Sequence, residues 1–251
     1  MTFERTELLR KFYSILTALE KKCGGERVLA KCSGHLNWPH RGVYFFREPK
    51  EIRTDTGSGP RIVRVGTHAL KTGSNTKLWT RLLQHKGSNS GRGNHRGSIF
   101  RSIVGASLIK KRKYDFPTWG VGNSAPAETR AEENPLESEV SQAIGRMSFI
   151  WLAIEDEPGV NSLRGYIERN AIALLSNYNR PPLDSPSRGW LGRHCNRDKI
   201  LKSGLWNSNH VDDVCDPLFL DCFEELVMRM RMRWSYLFGQ FGGEVKVYSG
   251  C

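Results

Sequence analysis

An α/β (α+β) fold, with a small and mainly antiparallel central sheet of about three strands flanked by helices, is predicted by three stretches of the sequence. The first two are Arg41-Gly42-Val43-Tyr44-Phe45-Phe46 and Arg61-Ile62-Val63-Arg64-Val65-Gly66-Thr67-His68, short runs rich in β-branched and aromatic residues. The linker Thr54-Asp55-Thr56-Gly57-Ser58-Gly59-Pro60 is turn-forming throughout, so the two runs pair as a hairpin with a loose tip. The third is Ser148-Phe149-Ile150-Trp151-Leu152-Ala153-Ile154, closed by an acidic turn ending in Pro158-Gly159. A nearly continuous apolar run of this length is the profile of a strand buried on both faces and central in its sheet.

Helical periodicity surrounds these strands. Residues 5–22 place Leu8, Leu9, Phe12, Tyr13, Leu16 and Leu19 on one face, and Gly24-Gly25 ends that helix. His35, Trp38 and His40 lie in the approach to the first strand, where the two histidines are of a ligand type but loop histidines more often serve as neither ligand nor catalyst. Ser74-Asn75-Thr76 offers a cap for a short helix from Lys77 to His85, with Leu78 and Leu82 as its apolar stripe. Arg81 and His85, four apart, share one face of it. A cation that keeps its proton beside a group that titrates near neutrality suits holding a phosphate and handling a proton. After a Gly-rich basic loop carrying Arg92, Asn94, His95 and Arg96, a helix from Ser98 to Leu108 turns Ile99, Ile103, Val104 and Leu108 inward and Arg101 outward. Residues 114–135 hold Pro117, Pro126 and Pro135 and form an excursion from the core. A helix over 136–147 follows, with Glu137 and Glu139 in its first turn. Asn161 caps a helix running to about Asn177 whose core stripe is Leu163, Ile167, Ala171 and Leu174, with Glu168 at the rim of that stripe. A carboxylate in that position needs a partner, an arginine or a divalent cation. A polar, turn-rich stretch to about 210 precedes a long helix from Asp216-Pro217 through Trp234 and Leu237, with Arg229, Arg231 and Arg233 in its last turns. Glu244–Tyr248 reads as an edge strand.

Composition narrows the function. The chain has 251 residues, no apolar run of membrane-spanning length and no signal-peptide pattern at its N-terminus. Its six cysteines are scattered without a CxxC pair, so reduced thiols, a cytoplasmic location and no membrane partner are expected. The net charge of +12 is concentrated: residues 61–113 hold thirteen Lys and Arg and no Asp or Glu, leaving the rest of the chain near −1. Residues 114–160 reverse the sign, with nine acids against two bases. A carboxylate-free basic window is an electrostatic footprint for a polyanion. The residues expected at a nucleic-acid surface are Arg64, His68, Lys86, Arg92, Asn94, His95, Arg96, Arg101, Lys110, Lys111, Arg112 and Lys113. For the Lys110–Lys113 run the alternatives are a solvated loop and a backbone-phosphate contact.

Two short strands at this spacing, a helix with Arg and His, then a helical Glu and a later Asn resemble the GIY-YIG nuclease family, in its restriction-endonuclease-like branch. Gly42-Val43-Tyr44 corresponds to the first motif and Arg64-Val65-Gly66 to the second, with Arg64 where the family has a tyrosine. Arg81 matches the family arginine, His85 a histidine of the restriction-like branch, Glu168 the metal-binding glutamate, and Asn179 the asparagine, with Asn177 as the alternative. The resemblance implies a single domain with a catalytic core over about 40–180 interrupted by an insertion over about 87–147. An N-terminal helix (1–30) and a C-terminal helical extension (181–251) would flank it. It implies an endonuclease acting on double-stranded DNA with Mg²⁺ (or Mn²⁺) held by Glu168. Tyr44 would take the proton of the attacking water, His85 relay or share it, and Asn179 orient phosphate or water. Cutting both strands from one such site usually requires two copies, so a homodimer is expected. Arg64 leaves open a degenerate module that binds DNA without cutting, and the basic window alone also suits RNA.

Overall fold

In a computed structural model of the chain, which describes residues 2–88 and 90–230, one antiparallel sheet carries the hairpin. Its strands are β1 (Arg27–Val28), β2 (Gly42–Ile52), β3 (Pro60–Gly66) and β4 (Ser148–Ala153), in the order β1-β4-β2-β3. The expected three strands are present, together with β1, which at two residues is too short to show a sequence period. β4 and β2 are the inner strands, β4 as the apolar run predicted: Tyr44 of β2 pairs with Gly66 on one side and Trp151 of β4 on the other. Both faces of β2 are covered, which is why its first six residues are all buried rather than alternating. On one face Phe46 lies 5.8 Å from Phe100; on the other Phe45 lies 6.1 Å from Phe12 and 5.5 Å from Phe223. Each aromatic side chain so removed from water contributes about 1.5–3 kcal/mol.

A bulge marks β3. Phe46 pairs with Arg64 and Arg47 with Ile62, so Val63 is skipped. The Val63 carbonyl instead accepts the Trp206 N–H at 2.8 Å. Next to it the Asn207 side-chain amide accepts from Val65 N (3.1 Å) and donates to Val65 O (2.8 Å). Loop residues 206–207 thus close the outer edge of the sheet, which would otherwise present unpaired backbone groups.

Seven helices are described: α1 (Thr2–Cys23), α2 (Leu78–Lys86), α3 (Ile99–Arg112), α4 (Ala127–Gly145), α5 (Leu163–Leu175), α6 (Asp198–Ser203) and α7 (Phe219–Arg229). α1 ends as expected at Gly24 and Gly25, at φ of 72° and 93°, whose N–H groups return to the Lys21 and Glu20 carbonyls. Several expectations are corrected. The N-cap of α2 is Lys77 with no side-chain bond, and the His40 carbonyl holds Leu78 N at 2.8 Å, so Ser74-Asn75-Thr76 is not its cap. In α3, Ile103, Val104 and Leu108 are buried as expected, but Ile99 is 41 % exposed and Arg101, expected outward, is fully buried. α4 begins at Ala127, inside the supposed excursion, and runs through Pro135; Glu137 is therefore mid-helix. Ser162, whose hydroxyl accepts from Gly165 N, caps α5 in place of Asn161. The short α6 lies in the stretch read as turns. The expected long helix from Asp216 is shorter in the described part: α7 starts at Phe219 and ends at Arg229, where Met230 turns to an extended conformation. Arg231, Arg233, Trp234, Leu237 and the strand Glu244–Tyr248 lie outside the described residues. Among the described residues no helix is long and apolar enough to cross a membrane, and the five cysteines form no disulfide.

Candidate functional site

Tyr44 is fully buried, its hydroxyl 2.9 Å from His85 Nε2. The glycines of both motifs exist for close approaches. A Cβ at Gly66 would land inside the Tyr44 hydroxyl, and one at Gly42 inside the Leu152 carbonyl of β4. His85, also fully buried, has Nδ1 2.8 Å from Ser98 Oγ, the N-cap of α3, which accepts from Arg101 N. A buried hydroxyl must place its proton, and among the described residues His85 Nδ1 is the acceptor within its reach. That puts the imidazole proton on Nε2, donated toward the Tyr44 oxygen. Burial holds the His85 pKa well below its usual value, and the charges of Arg81, Arg64 and Arg101 push the same way. The ring is a neutral donor.

Arg64, the departure in the second motif, is buried beside this pair. Its guanidinium lies 4.6 Å from the Phe100 ring centroid, donates to the Trp206 carbonyl, and is near enough to Tyr44 for a side-chain hydrogen bond to favour its charged form. Desolvation still lowers its pKa, opposed by Tyr44 and Glu168 and reinforced by Arg81. Arg81 is half-exposed, with Nη1 3.0 Å from Gln84 Oε1. Glu168 reaches the end of β3, where Thr67 N donates to its Oε1 at 3.1 Å, and Thr67 Oγ1 donates to the Gly42 carbonyl at 2.8 Å. Thr67, the residue just past β3, therefore ties the two motifs to the carboxylate. Burial raises the Glu168 pKa, with Arg64 as the main opposing charge. No described residue hydrogen-bonds its Oε2, and no group of three or more His, Cys, Asp and Glu that could hold a metal exists among the described residues. One carboxylate oxygen suits Mg²⁺, which keeps several waters and takes one or two carboxylates plus substrate phosphate.

The model of the GIY-YIG domain family matches residues 3–233, from α1 to beyond α7. The chain belongs to the GIY-YIG family. No curated protein and no solved structure matches it. The α+β fold with its antiparallel sheet agrees with that membership, and GIY-YIG domains are nuclease-type domains. The matched span includes α1 and the helices after 180 as well as the strand pair.

Within this GIY-YIG domain, Tyr44, Arg64, Arg81, His85 and Glu168 converge; other expected residues do not. Asn179, at φ 52°, is exposed in a groove with Arg5, Leu174 and Pro217, and Asn177 is spent on Arg5 Nη2 and on both backbone groups of Leu183. Neither bonds a member of the cluster. His68 is buried, donating Nε2–H to the His40 carbonyl at 3.2 Å, while its Nδ1 has no partner. Burial pushes its pKa down to about 4, so it brings no charge to a polyanion. The basic window is also partly neutralised internally. Arg101 pairs with Glu137, Arg96 with Glu133 (side chains 3 % and 2 % exposed) and Arg61 with Glu51, and His95 is buried against Glu137 and Trp119. These acids come from outside the window, so local composition overstated the exposed charge. Arg92, Asn94, Lys110, Lys111, Arg112 and Lys113 are exposed; Lys86 is half-buried and donates to the Cys32 carbonyl at 2.7 Å. Sequence reasoning missed Ser98, Thr67, Asn207 and His210, which lie in no periodic pattern and reach the site only through tertiary contacts.

Proposed function

We propose that this GIY-YIG domain is a Mg²⁺-dependent (or Mn²⁺-dependent) endonuclease hydrolysing phosphodiester bonds of double-stranded DNA, of a site-specific, restriction type. The observation that carries it is the buried Tyr44–His85 pair, flanked by Arg64 and Arg81, with Glu168 fastened to the adjacent strand end. Tyr44, as the phenolate, receives the proton of the attacking water, its oxygen held by the Nε2–H of neutral His85 and by the charge of Arg64. Because Tyr44 is wholly buried, water reaches it only as neighbouring side chains shift on substrate binding. Arg81, half-exposed, neutralises the phosphate. Glu168 Oε2 is the atom that would hold the metal, which when bound neutralises charge on the phosphate and leaving oxygen. A double-strand cut takes two copies of the chain.

Plasmid DNA incubated with Mg²⁺, with and without EDTA, tests the activity. Glu168→Ala should reduce cutting by at least ~10²-fold while leaving duplex binding within a few-fold, and undiminished cleavage would remove Glu168 from its role. Arg64 in the tyrosine's place and the burial of Tyr44 favour one rival, a module that binds DNA without cutting. Intact plasmid together with tight duplex binding would select it.

A further inference from the structure

We propose that His210, held by Asp213, is a further catalytic residue of this site, the general acid that protonates the oxygen leaving phosphorus. The inference rests on the nuclease reading above. Glu168 faces a cleft of about 490 Å³ that Tyr166, Arg169 and His210 also line. His210 comes from a loop that is built against the site rather than draped over it. Asn207 is bonded to Val65, Trp206 receives Arg64, and the Val211 carbonyl accepts Ser176 Oγ at 2.6 Å. In this tethered loop His210 adopts φ 63°, a left-handed conformation that a non-glycine residue keeps where its surroundings hold it. Its Nδ1 lies 2.8 Å from Asp213 Oδ2. That contact fixes the ring and its tautomer, and no described residue hydrogen-bonds Nε2. His210 also exerts a favourable field on the Glu168 carboxylate.

The placement is complementary to the first pair. Tyr44 and His85 are fully buried and do not line that cleft; Arg64, whose charge acts on both Tyr44 and Glu168, links them to the carboxylate, whereas His210 lines the cleft with Glu168. In-line displacement at phosphorus needs a proton acceptor on the attacking side and a proton source on the leaving side. The step balances with Tyr44 as the phenolate and His210 as the imidazolium: the water oxygen bonds to phosphorus and passes its proton to the phenolate while the bond to the leaving oxygen breaks. That oxygen takes the proton from His210 Nε2, and solvent restores it before the next turnover. A His–Asp pair that only stabilised a turn would have no reason to discriminate between leaving groups.

A leaving group that needs no proton makes the test. Product ends from the wild-type enzyme identify the leaving oxygen, and a duplex is then made with sulfur at that bridging position. His210→Gln is expected to slow single-turnover cleavage of the oxygen duplex by ~10²-fold and of the sulfur duplex by less than ~3-fold, with duplex affinity in EDTA unchanged. Asp213→Asn should show the same discrimination in weaker form and serves if His210→Gln fails to fold, as judged by thermal unfolding. Equal slowing of both duplexes, or wild-type rates on both, overturns the assignment. A wild-type enzyme that cuts neither duplex overturns the nuclease reading instead.

Discussion

At Gly66 the second motif has no room for a side chain, because the Tyr44 hydroxyl occupies the space where a Cβ would stand. Gly66→Ala must therefore push the phenol away from His85 or bend β3. Overpacking of this kind costs about 1–3 kcal/mol. The expected result is a lower urea midpoint with cleavage reduced by at least ~10²-fold, and a variant as active and stable as wild type would show that Tyr44 does not need its observed position. His68 makes a separate prediction about pH. Its folded pKa is about 4 against an ordinary 6.5, so between those values the unfolded chain binds a proton that the folded chain refuses. The neutral, buried ring therefore favours the fold fully above pH 6.5, and that advantage is lost as pH falls toward 4. The difference is on the order of 2–3 kcal/mol. His68→Gln should flatten the fall of unfolding free energy between pH 7 and pH 4, measured by urea titration. His85, depressed in the same direction, remains in both proteins.

Helices α3 and α4 are held together by charge where the sequence promised apolar packing. Arg101 places Nε 3.0 Å from Glu137 Oε2, Nη2 3.0 Å from Ser141 Oγ, and Nη1 2.9 Å from the His85 carbonyl. Glu137 Oε1 in turn accepts from His95 Nδ1 at 2.9 Å, and burial of the carboxylate is outweighed by these partners, so its pKa is lowered. The pair thus anchors the C-terminal turn of α2, which carries His85. Removing one partner of a buried ion pair costs ~3–5 kcal/mol, whereas replacing both with apolar residues costs far less. Glu137→Gln and Arg101→Met alone should each lower the unfolding free energy by that amount, and Arg101→Met/Glu137→Leu by clearly less; additive losses in a double-mutant cycle would deny the coupling. Helical periodicity could not reveal this, since an arginine on a helix is read as outward and its partner lies 36 residues away. One signal was available: the carboxylate-free window is followed directly by an acid-rich one, and oppositely charged neighbours in sequence invite pairing in space. The strand pair, by contrast, was legible because residue type and turn chemistry agreed over short range. Tyr44, Arg81, His85 and Glu168 were legible because motif spacing carries them. Asn207 and His210 were not, because a side chain that completes a strand edge or a cleft from a loop obeys no period.

Across the whole molecule, the polyanion footprint contracts once internal pairs are set aside. Arg61, Arg96 and Arg101 neutralise acids of the same chain, and Arg64 is buried beside Tyr44. Exposed charge remains on Lys71, Lys77 and Arg92 and on the run Lys110–Lys113 at the end of α3, where Lys113 closes the helix at φ 57° and Arg112 Nη2 lies 3.4 Å from Glu139. Each phosphate neutralised on duplex DNA steepens the fall of log affinity with log salt by about 0.9. Lys110→Gln/Lys111→Gln/Lys113→Gln should therefore lessen that slope by up to ~2.7, and Arg92→Gln by up to ~0.9. Arg96→Gln should instead lower the unfolding temperature and leave the slope of the folded protein unchanged, since its charge is already paired with Glu133. Fluorescence anisotropy of a labelled duplex between 50 and 200 mM salt, in EDTA so that nothing is cut, reads all three. An unchanged slope in the triple variant would place the DNA on a different face and return the lysine run to a solvated helix end.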